Sequence, residues 1–158
     1  MQELADEPHN LAKAVGELNL DYIVLTSVDR DDLPDQGANH FADCVRAVKN
    51  EHPNMIIETL IPDFRGDEKC IETVAKAKPD VISHNLETVQ ELQSKVRDLR
   101  ANYGQSLSVL KITKRLNPKI YTKSAIMLGL GETNEQVEKA MDDLRAINCD
   151  ILTIGQYL

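Results

Sequence analysis

The stretch YIVLTSVDRDDLPDQGANHF, residues 22–41, decides how the rest of the chain is read. Tyr22-Ile23-Val24-Leu25 is a short apolar run with no polar alternation, the pattern of a fully buried strand. It passes without a break into Thr26, Ser27, Asp29, Arg30, Asp31 and Asp32. A buried strand that ends in hydrogen-bonding and charged groups either enters a solvated loop or opens onto a pocket.

Outward from that stretch, helical and strand-like patterns alternate. Leu11, Ala14, Val15 and Leu18 lie at amphipathic-helix spacing behind Pro8, and Phe41, Cys44, Val45 and Val48 mark a second helix. Met55 to Ile61 reads as a second strand, Cys70, Ile71 and Val74 as a short helix, and Asp80 to His84 as a third strand. Leu92, Val96 and Leu99, then Leu107 to Leu116, suggest one or two helices. Ser124 to Leu130 is expected as the fourth strand and Ile151 to Leu158 as the fifth. Between them Thr133 with Gln136 forms a capping box before the stripe Val137, Ala140, Met141, Leu144. Strands that alternate with helices indicate right-handed βαβ units in a parallel sheet. No linker or low-complexity tract interrupts them, so residues 1–158 read as one domain. Two architectures compete, an open doubly wound sheet and an arc of a (β/α) barrel. No GxGxxG or GxxxxGK[ST] follows any strand, and this removes the simplest case for a nucleotide-binding open sheet.

Polar groups recur at the other strand ends. The second strand contains Glu58 and leads into Asp63-Phe64-Arg65-Gly66, and the third ends in Ser83-His84-Asn85-Leu86-Glu87-Thr88. The fourth carries Lys123 and Ser124 at its start and Gly129 to Thr133 at its end, and the fifth carries Thr153, Gly155, Gln156 and Tyr157. In a parallel sheet these ends share one side, which in barrels holds the active site. Helix capping and solvated loops explain many such residues one at a time. Asp31, Asp32 and Asp35 look like loop chemistry rather than metal ligands. His9, His40 and His52 fall at helix edges, whereas His84 falls at a strand end and is the histidine expected in a pocket. Cys44 and Cys70 occupy apolar helical stripes and read as core residues.

Bulk properties narrow the function classes. With 26 acids against 18 bases in 158 residues the net charge is −8, and no Lys/Arg cluster gives a nucleic-acid footprint. No apolar run reaches the roughly 18 residues of a membrane span, and the start of the chain has no apolar signal core. The three cysteines, Cys44, Cys70 and Cys149, are widely spaced and form no CxxC pair. A reduced, cytoplasmic setting is expected, or a mitochondrial or plastid one for a chain without its targeting peptide.

The blocks LTSVDRDDLPDQGANHFADCVRAVK, IETLIPDFRGD, PDVISHNLETV, TKSAIMLGLGET and DILTIGQYL, in this order, resemble the lipoyl synthase family of the radical S-adenosylmethionine superfamily. The likeness extends from about Asp6 to Leu158. It implies an α/β fold, a partial (β/α) TIM-like barrel of about five parallel strands with the first barrel strand missing. It also implies insertion of two sulfur atoms into protein-bound octanoyl groups to make the lipoyl cofactor. The cofactors would be S-adenosylmethionine and two 4Fe–4S clusters, one for reductive cleavage to a 5′-deoxyadenosyl radical and one as the sulfur donor. Partners would be octanoylated lipoyl domains or the glycine cleavage H protein, with a reductant such as flavodoxin or ferredoxin.

Carried over by position, the resemblance places Thr26, Ser27 and Asp29 at the methionine amino group and Asn85 and Glu87 near ribose and methionine. Lys123 becomes a candidate for the methionine carboxylate. Met127 to Gly131, with Met127 and Gly129 foremost, would approach the adenine, and Gln156 and Tyr157 would face the same cavity. Arg65 would lie on the substrate side. The family's CxxxCxxC loop, its auxiliary-cluster cysteines and its closing serine segment are absent from this sequence. The expectation is therefore a fragment or a degenerate copy, inactive alone, with the strand at 22–28 left as an exposed edge. Two other readings stand beside this one. One is a different radical enzyme resembling biotin synthase, disfavoured by TSVDRDDLP and PDFRG. The other is a non-catalytic remnant that binds a small molecule or another subunit. Lys111, Lys114, Arg115, Lys119 and Lys123 are close enough in sequence to form a local basic patch for an acidic partner, or a solvated helix face.

Overall fold

In the computed structural model, residues 2–158 are described. Their order is α1 (Gln2–Leu18), β1 (Tyr22–Thr26), α2 (Ala38–Glu51), β2 (Ile56–Leu60), α3 (Glu68–Lys76), β3 (Val81–Ser83), α4 (Gln93–Val96), α5 (Tyr103–Leu116), β4 (Tyr121–Leu128), α6 (Asn134–Ala146) and β5 (Ile151–Gln156). Short 3-10 turns lie at Phe64–Gly66 and Gln90–Leu92. The five strands form one parallel sheet in the order β1-β2-β3-β4-β5. A doubly wound sheet reverses its strand order partway. This one never does, so its helices fall on a single face, as in an arc of a barrel.

Alternation along the strands divides the sheet into two faces. Ile23 and Ile57 pack with Ala12 and Val15 of α1 and Ala42, Val45 and Val48 of α2. Ile82 packs with Phe41, Ile71, Val74 and Val109, and Ile126 with Leu110, Ala140 and Leu144. Each such isoleucine contributes about 1.5–3 kcal/mol relative to exposure. On the opposite face Tyr22, Val24, Ile56, Tyr121 and Ile151 remain exposed. No helix of the described residues is long and apolar enough to cross a membrane.

Element bounds depart from the sequence expectation in instructive places. Helix α1 continues on the N-terminal side of Pro8, through residues with high helix propensity. The fourth strand begins at Tyr121 rather than Ser124, because Tyr121 to Lys123 pair with β3 while Lys123 to Leu128 pair with β5. The helix expected around Leu92, Val96 and Leu99 shrinks to the single turn α4. The Asp98 carboxylate takes the Arg100 backbone amide and Asn102 caps α5, so the chain turns there and Leu99 stands exposed. The capping box at Thr133 and Gln136 is present as expected.

Candidate functional site

The C-terminal ends of β1, β2 and β3 converge on a cleft of about 240 Å³. Asp29 and Asp31 enter it from the loop after β1, and Asp63 and Arg65 from the loop after β2. His84 lies at the end of β3, Arg97 and Arg100 come from the connection to α5, and Gln105 from the first turn of α5. Asp31 bridges two of these loops, with its carboxylate 3.1 Å from Arg65 and 3.4 Å from Arg100. Asp32 and Asp35 perform the loop chemistry expected of them. Asp32 takes both prongs of Arg30 at 2.8 Å, and Asp35 accepts the Gly37 and Asn39 amides.

The loop after β2 is held in an unusual conformation. Phe64, Arg65 and Gly66 have φ of 47°, 50° and 75°. For the two non-glycine residues this costs on the order of 1–2 kcal/mol each. Burial of Phe64 and the Asp63 carboxylate, which accepts the Arg65 amide and the Gln105 side chain, offset that cost.

His84 is almost fully buried and backs the cleft. Its Nδ1 lies 2.9 Å from the Ile61 carbonyl, which can only accept, so Nδ1 carries the proton. Its Nε2 lies 3.0 Å from Ser106 Oγ and accepts the hydroxyl hydrogen, and Arg97 Nη1 donates to the same Oγ at 2.8 Å. The result is a directional chain from Arg97 through Ser106 and His84 to Ile61. Burial holds the His84 pKa below its ordinary value, and the nearby Arg97 charge adds to this. Both keep the ring neutral, as the chain requires.

The open face of the sheet has its own polar centre. Lys123 Nζ lies 2.9 Å from each carboxylate oxygen of Glu58, whose side chain is only 4% exposed. The Tyr22 hydroxyl donates to the same carboxylate. Burial, and then the neighbouring Glu58 carboxylate, push the Tyr22 hydroxyl up to about 12. Lys123, expected from sequence to meet a ligand carboxylate, thus has its ammonium bound to a carboxylate of this chain.

The other expected residues fall into two groups. Thr26, Ser27, Asp29 and Arg65 lie at the ends of β1 and β2, with Thr26 in one row across the sheet with Leu60, Ser83 and Lys123. Glu87 bridges to Ile126, and its carbonyl accepts the Met127 amide. Met127 pairs with Gly155 and Leu128 with Gln156. Gly129 has φ 102°, and its amide and that of Leu130 both bond the Glu132 carboxylate. Those amide bonds, that of Gly129 first, hold Glu132 below the usual carboxylate range. Asn85 is half-buried beside His84.

The basic patch assembles only in part. Lys111, Lys114 and Arg115 line one cavity, but Lys114 pairs with Asp150 and Arg115 with Glu68, and Lys123 turns to the open face. Cys44 and Cys70 are buried, as expected, and burial pushes Cys44 up to about 11. Cys149 is half-buried and packs against the cluster around Ile126. The described residues contain no group of three or more His, Cys, Asp or Glu able to hold a metal ion. Sequence reasoning missed Arg97, Arg100, Gln105 and Ser106. The turn formers Asp98 and Asn102 in VRDLRANY were the available sign that this segment is a rim loop.

The family model described as the Radical SAM superfamily matches residues 2–144. The chain is 58% identical over 153 residues to a lipoyl synthase of Anaeromyxobacter sp. (strain Fw109-5), covering 97% of this chain and 52% of that protein. It is 57% identical to a mitochondrial lipoyl synthase of Ricinus communis and 56% identical to a lipoyl synthase of Thermus thermophilus. The matched segment covers 97% of this chain in both comparisons, with 44% of the first relative and 47% of the second. The chain spans about half the length of these curated relatives. Among solved structures, methylornithine synthase superposes with a TM-score of 0.75 at 14% identity, covering 97% of this chain and 44% of that one. The Bacillus subtilis HMG-CoA lyase gives 0.65 at 14%, covering 94% and 50%. At that identity the two superpositions speak to fold alone, and both agree with a partial (β/α) barrel.

Proposed function

We propose that this chain, which belongs to the Radical SAM superfamily, forms the S-adenosylmethionine-binding wall of a lipoyl synthase. Such an enzyme inserts two sulfur atoms into protein-bound octanoyl groups to give the lipoyl cofactor. The observation that carries the reading is 58% identity over 97% of the chain. When bound, S-adenosylmethionine supplies the hydrogen-abstracting chemistry of the superfamily.

The residues fit that ligand. Thr26, Ser27 and Asp29 offer acceptors to an ammonium group. Asn85 and Glu87 offer an amide and a carboxylate to ribose hydroxyls, and Met127, Gly129 and Gln156 line the β4–β5 rim for the adenine. Nothing lies within 4 Å of where a Cβ would project from Gly131 or Gly155, so the backbone at this rim is open to close approach. Lys123 takes part as the counter-ion of Glu58 beneath the site. Arg65, on the outer rim, is assigned to the substrate side.

The described residues do not fit an iron–sulfur cluster. Cys70 lies in the helix-covered core, Cys44 is buried on α2 beside His40, and Cys149 lies before β5. Partners under this reading are octanoylated lipoyl domains or the glycine cleavage H protein with a flavodoxin- or ferredoxin-type reductant. The compartment is the cytoplasm, or a mitochondrion or plastid.

The test is a chimera in which these residues replace the matching segment of the Anaeromyxobacter lipoyl synthase, assayed by mass spectrometry on an octanoylated lipoyl domain. Lipoyl product supports the proposal. A folded, cluster-loaded chimera that yields none refutes it.

A further inference from the structure

Charge is distributed unevenly along the chain. Residues 99–131 hold six Lys or Arg and no Asp or Glu, whereas the remainder carries all 26 acids against 12 bases. In a chain of net charge −8, the surface built by that stretch has a field opposite to the rest of the molecule. The macrodipole of α5 accounts for Lys114 and Arg115 in its last turn, but not for Lys111 or for the lack of any acid through Gly131.

Three of these cations meet in one groove. Lys111, Lys114 and Arg115 of α5 line a cavity of about 450 Å³ together with Glu68 of α3 and the apolar side chains of Ile112 and Ile147. Lys114 is committed to the fold, since its ammonium pairs with Asp150 and donates to the Ile120 carbonyl at 2.9 Å. Lys111 is exposed and joins no ion pair among the described residues. Arg115 pairs with Glu68, but the two side chains are 60% and 51% exposed. An ion pair so open to solvent is worth little, and an incoming carboxylate can displace it.

The spacing of the cations restricts what fits. Lys111 and Arg115 are four residues apart on α5, a rise of ~6 Å. Alternate residues of an extended chain project from one side every ~6.5 Å. An extended segment with a carboxylate at every second position therefore meets both cations in register, whereas consecutive acids project to opposite sides. The groove is also remote from the cleft. Asn148, which lines it, precedes β5, and Ile120 precedes β4, so the groove lies towards the N-terminal ends of the strands. The eight residues of β4 put ~26 Å between the two ends of the sheet. A partner held in the groove leaves the cleft accessible.

We propose that this groove docks an extended acidic segment of a partner protein, with Lys111 and Arg115 as its contacts and Glu68 as the internal carboxylate that the segment displaces. The proposal is independent of the cofactor reading.

The test is fluorescence anisotropy, with the chain titrated into a labelled octapeptide of alternating glutamate and serine at low ionic strength. Binding is expected, and it should weaken as salt is raised towards ~0.15 M. Lys111→Gln and Arg115→Gln should each weaken it about 3- to 10-fold, while Glu68→Gln, which removes the competing carboxylate, should strengthen it about 2- to 5-fold. Glu138→Gln makes the same charge change on the exposed surface of α6 and should alter binding less than about 1.5-fold. An isomeric peptide with its four glutamates consecutive should bind at least about 3-fold more weakly. A folded chain that leaves the alternating peptide unbound, groove variants that bind like wild type, or equal affinity for the two isomers would each overturn the assignment. Tighter binding of an oligothymidylate of equal charge would overturn it in favour of a nucleic-acid surface.

Discussion

Replacing Lys123 with methionine removes the only ion-pair partner, among the described residues, of a carboxylate that is 4% exposed while preserving most of the side-chain volume. Two contacts of 2.9 Å join Lys123 Nζ to the Glu58 oxygens, and only the Tyr22 hydroxyl remains when the ammonium is gone. At an effective dielectric of ~20 the gross attraction at this distance is on the order of 5 kcal/mol. Lys123 is 25% exposed on an open sheet face, so solvent screens part of that. Removing one partner of a fully buried pair costs ~3–5 kcal/mol, and we expect about 2–4 kcal/mol here. In urea, with a slope of ~1–3 kcal/mol/M, that shifts the unfolding midpoint by about 1–2 M without changing the slope. The companion variant Glu58→Gln leaves a neutral group that Tyr22 still reaches. The double variant should recover a large part of the single-variant loss, because no unpaired charge remains, with a coupling energy above about 1 kcal/mol. Coupling below about 0.5 kcal/mol would mean that water neutralises Glu58 unaided. The floor of the open face would then be a solvated surface, and Lys123 would be free to meet a ligand after all.

Two further outcomes follow from the same geometry. Because burial depresses the His84 pKa, the unfolded chain binds a proton that the native chain does not as pH drops below the ordinary histidine value of ~6.5. Stability is therefore fully present above that value and falls as pH is lowered towards the folded pKa, with a slope of up to about 1.4 kcal/mol per pH unit. His84→Gln should flatten this limb in urea melts at pH 5 to 7, and parallel limbs in the two proteins would refute the assignment. Gly129→Ala places a Cβ at φ 102° with only an ordinary 3.5 Å contact to the Tyr157 carbonyl, so backbone strain sets a cost of about 1–3 kcal/mol. Calorimetric melting should fall by roughly 2–10 °C, while Gly155→Ala, in open space and without a positive φ, changes little. Equal shifts for the two alanines would remove strain as the cause.

Helical periods and short apolar runs were enough to find all five strands and the main helices, but the run at 22–25 overstated burial, since Tyr22 and Val24 stand exposed on the open face of the sheet. The choice between an open sheet and a barrel arc was also legible, since every strand end carried polar residues and none carried a phosphate-binding glycine motif. Bounds were less so: Tyr121 and Thr122 join β4 through pairing with β3, a tertiary event that propensity does not record. Partner choice was the least legible part of the site. Nothing local in the sequence marks Lys123 as the neighbour of Glu58, 65 residues earlier. Nothing marks Arg65 and Arg100 as the pair that share Asp31, or Arg97 as the partner of Ser106. These facts depend on which loops the sheet brings to one rim. The periodicity of VRDLRANY invited a helix, and the side-chain bonds of Asp98 and Asn102 turned it into a loop instead.

The strand order has a kinetic consequence. Every ladder joins strands that are consecutive in the chain, so no pairing waits for a strand made much later than the next one. Loop-closure entropy is met in small instalments, and the sheet can grow outward from any ladder already formed, in step with synthesis. Registers are settled one neighbour at a time.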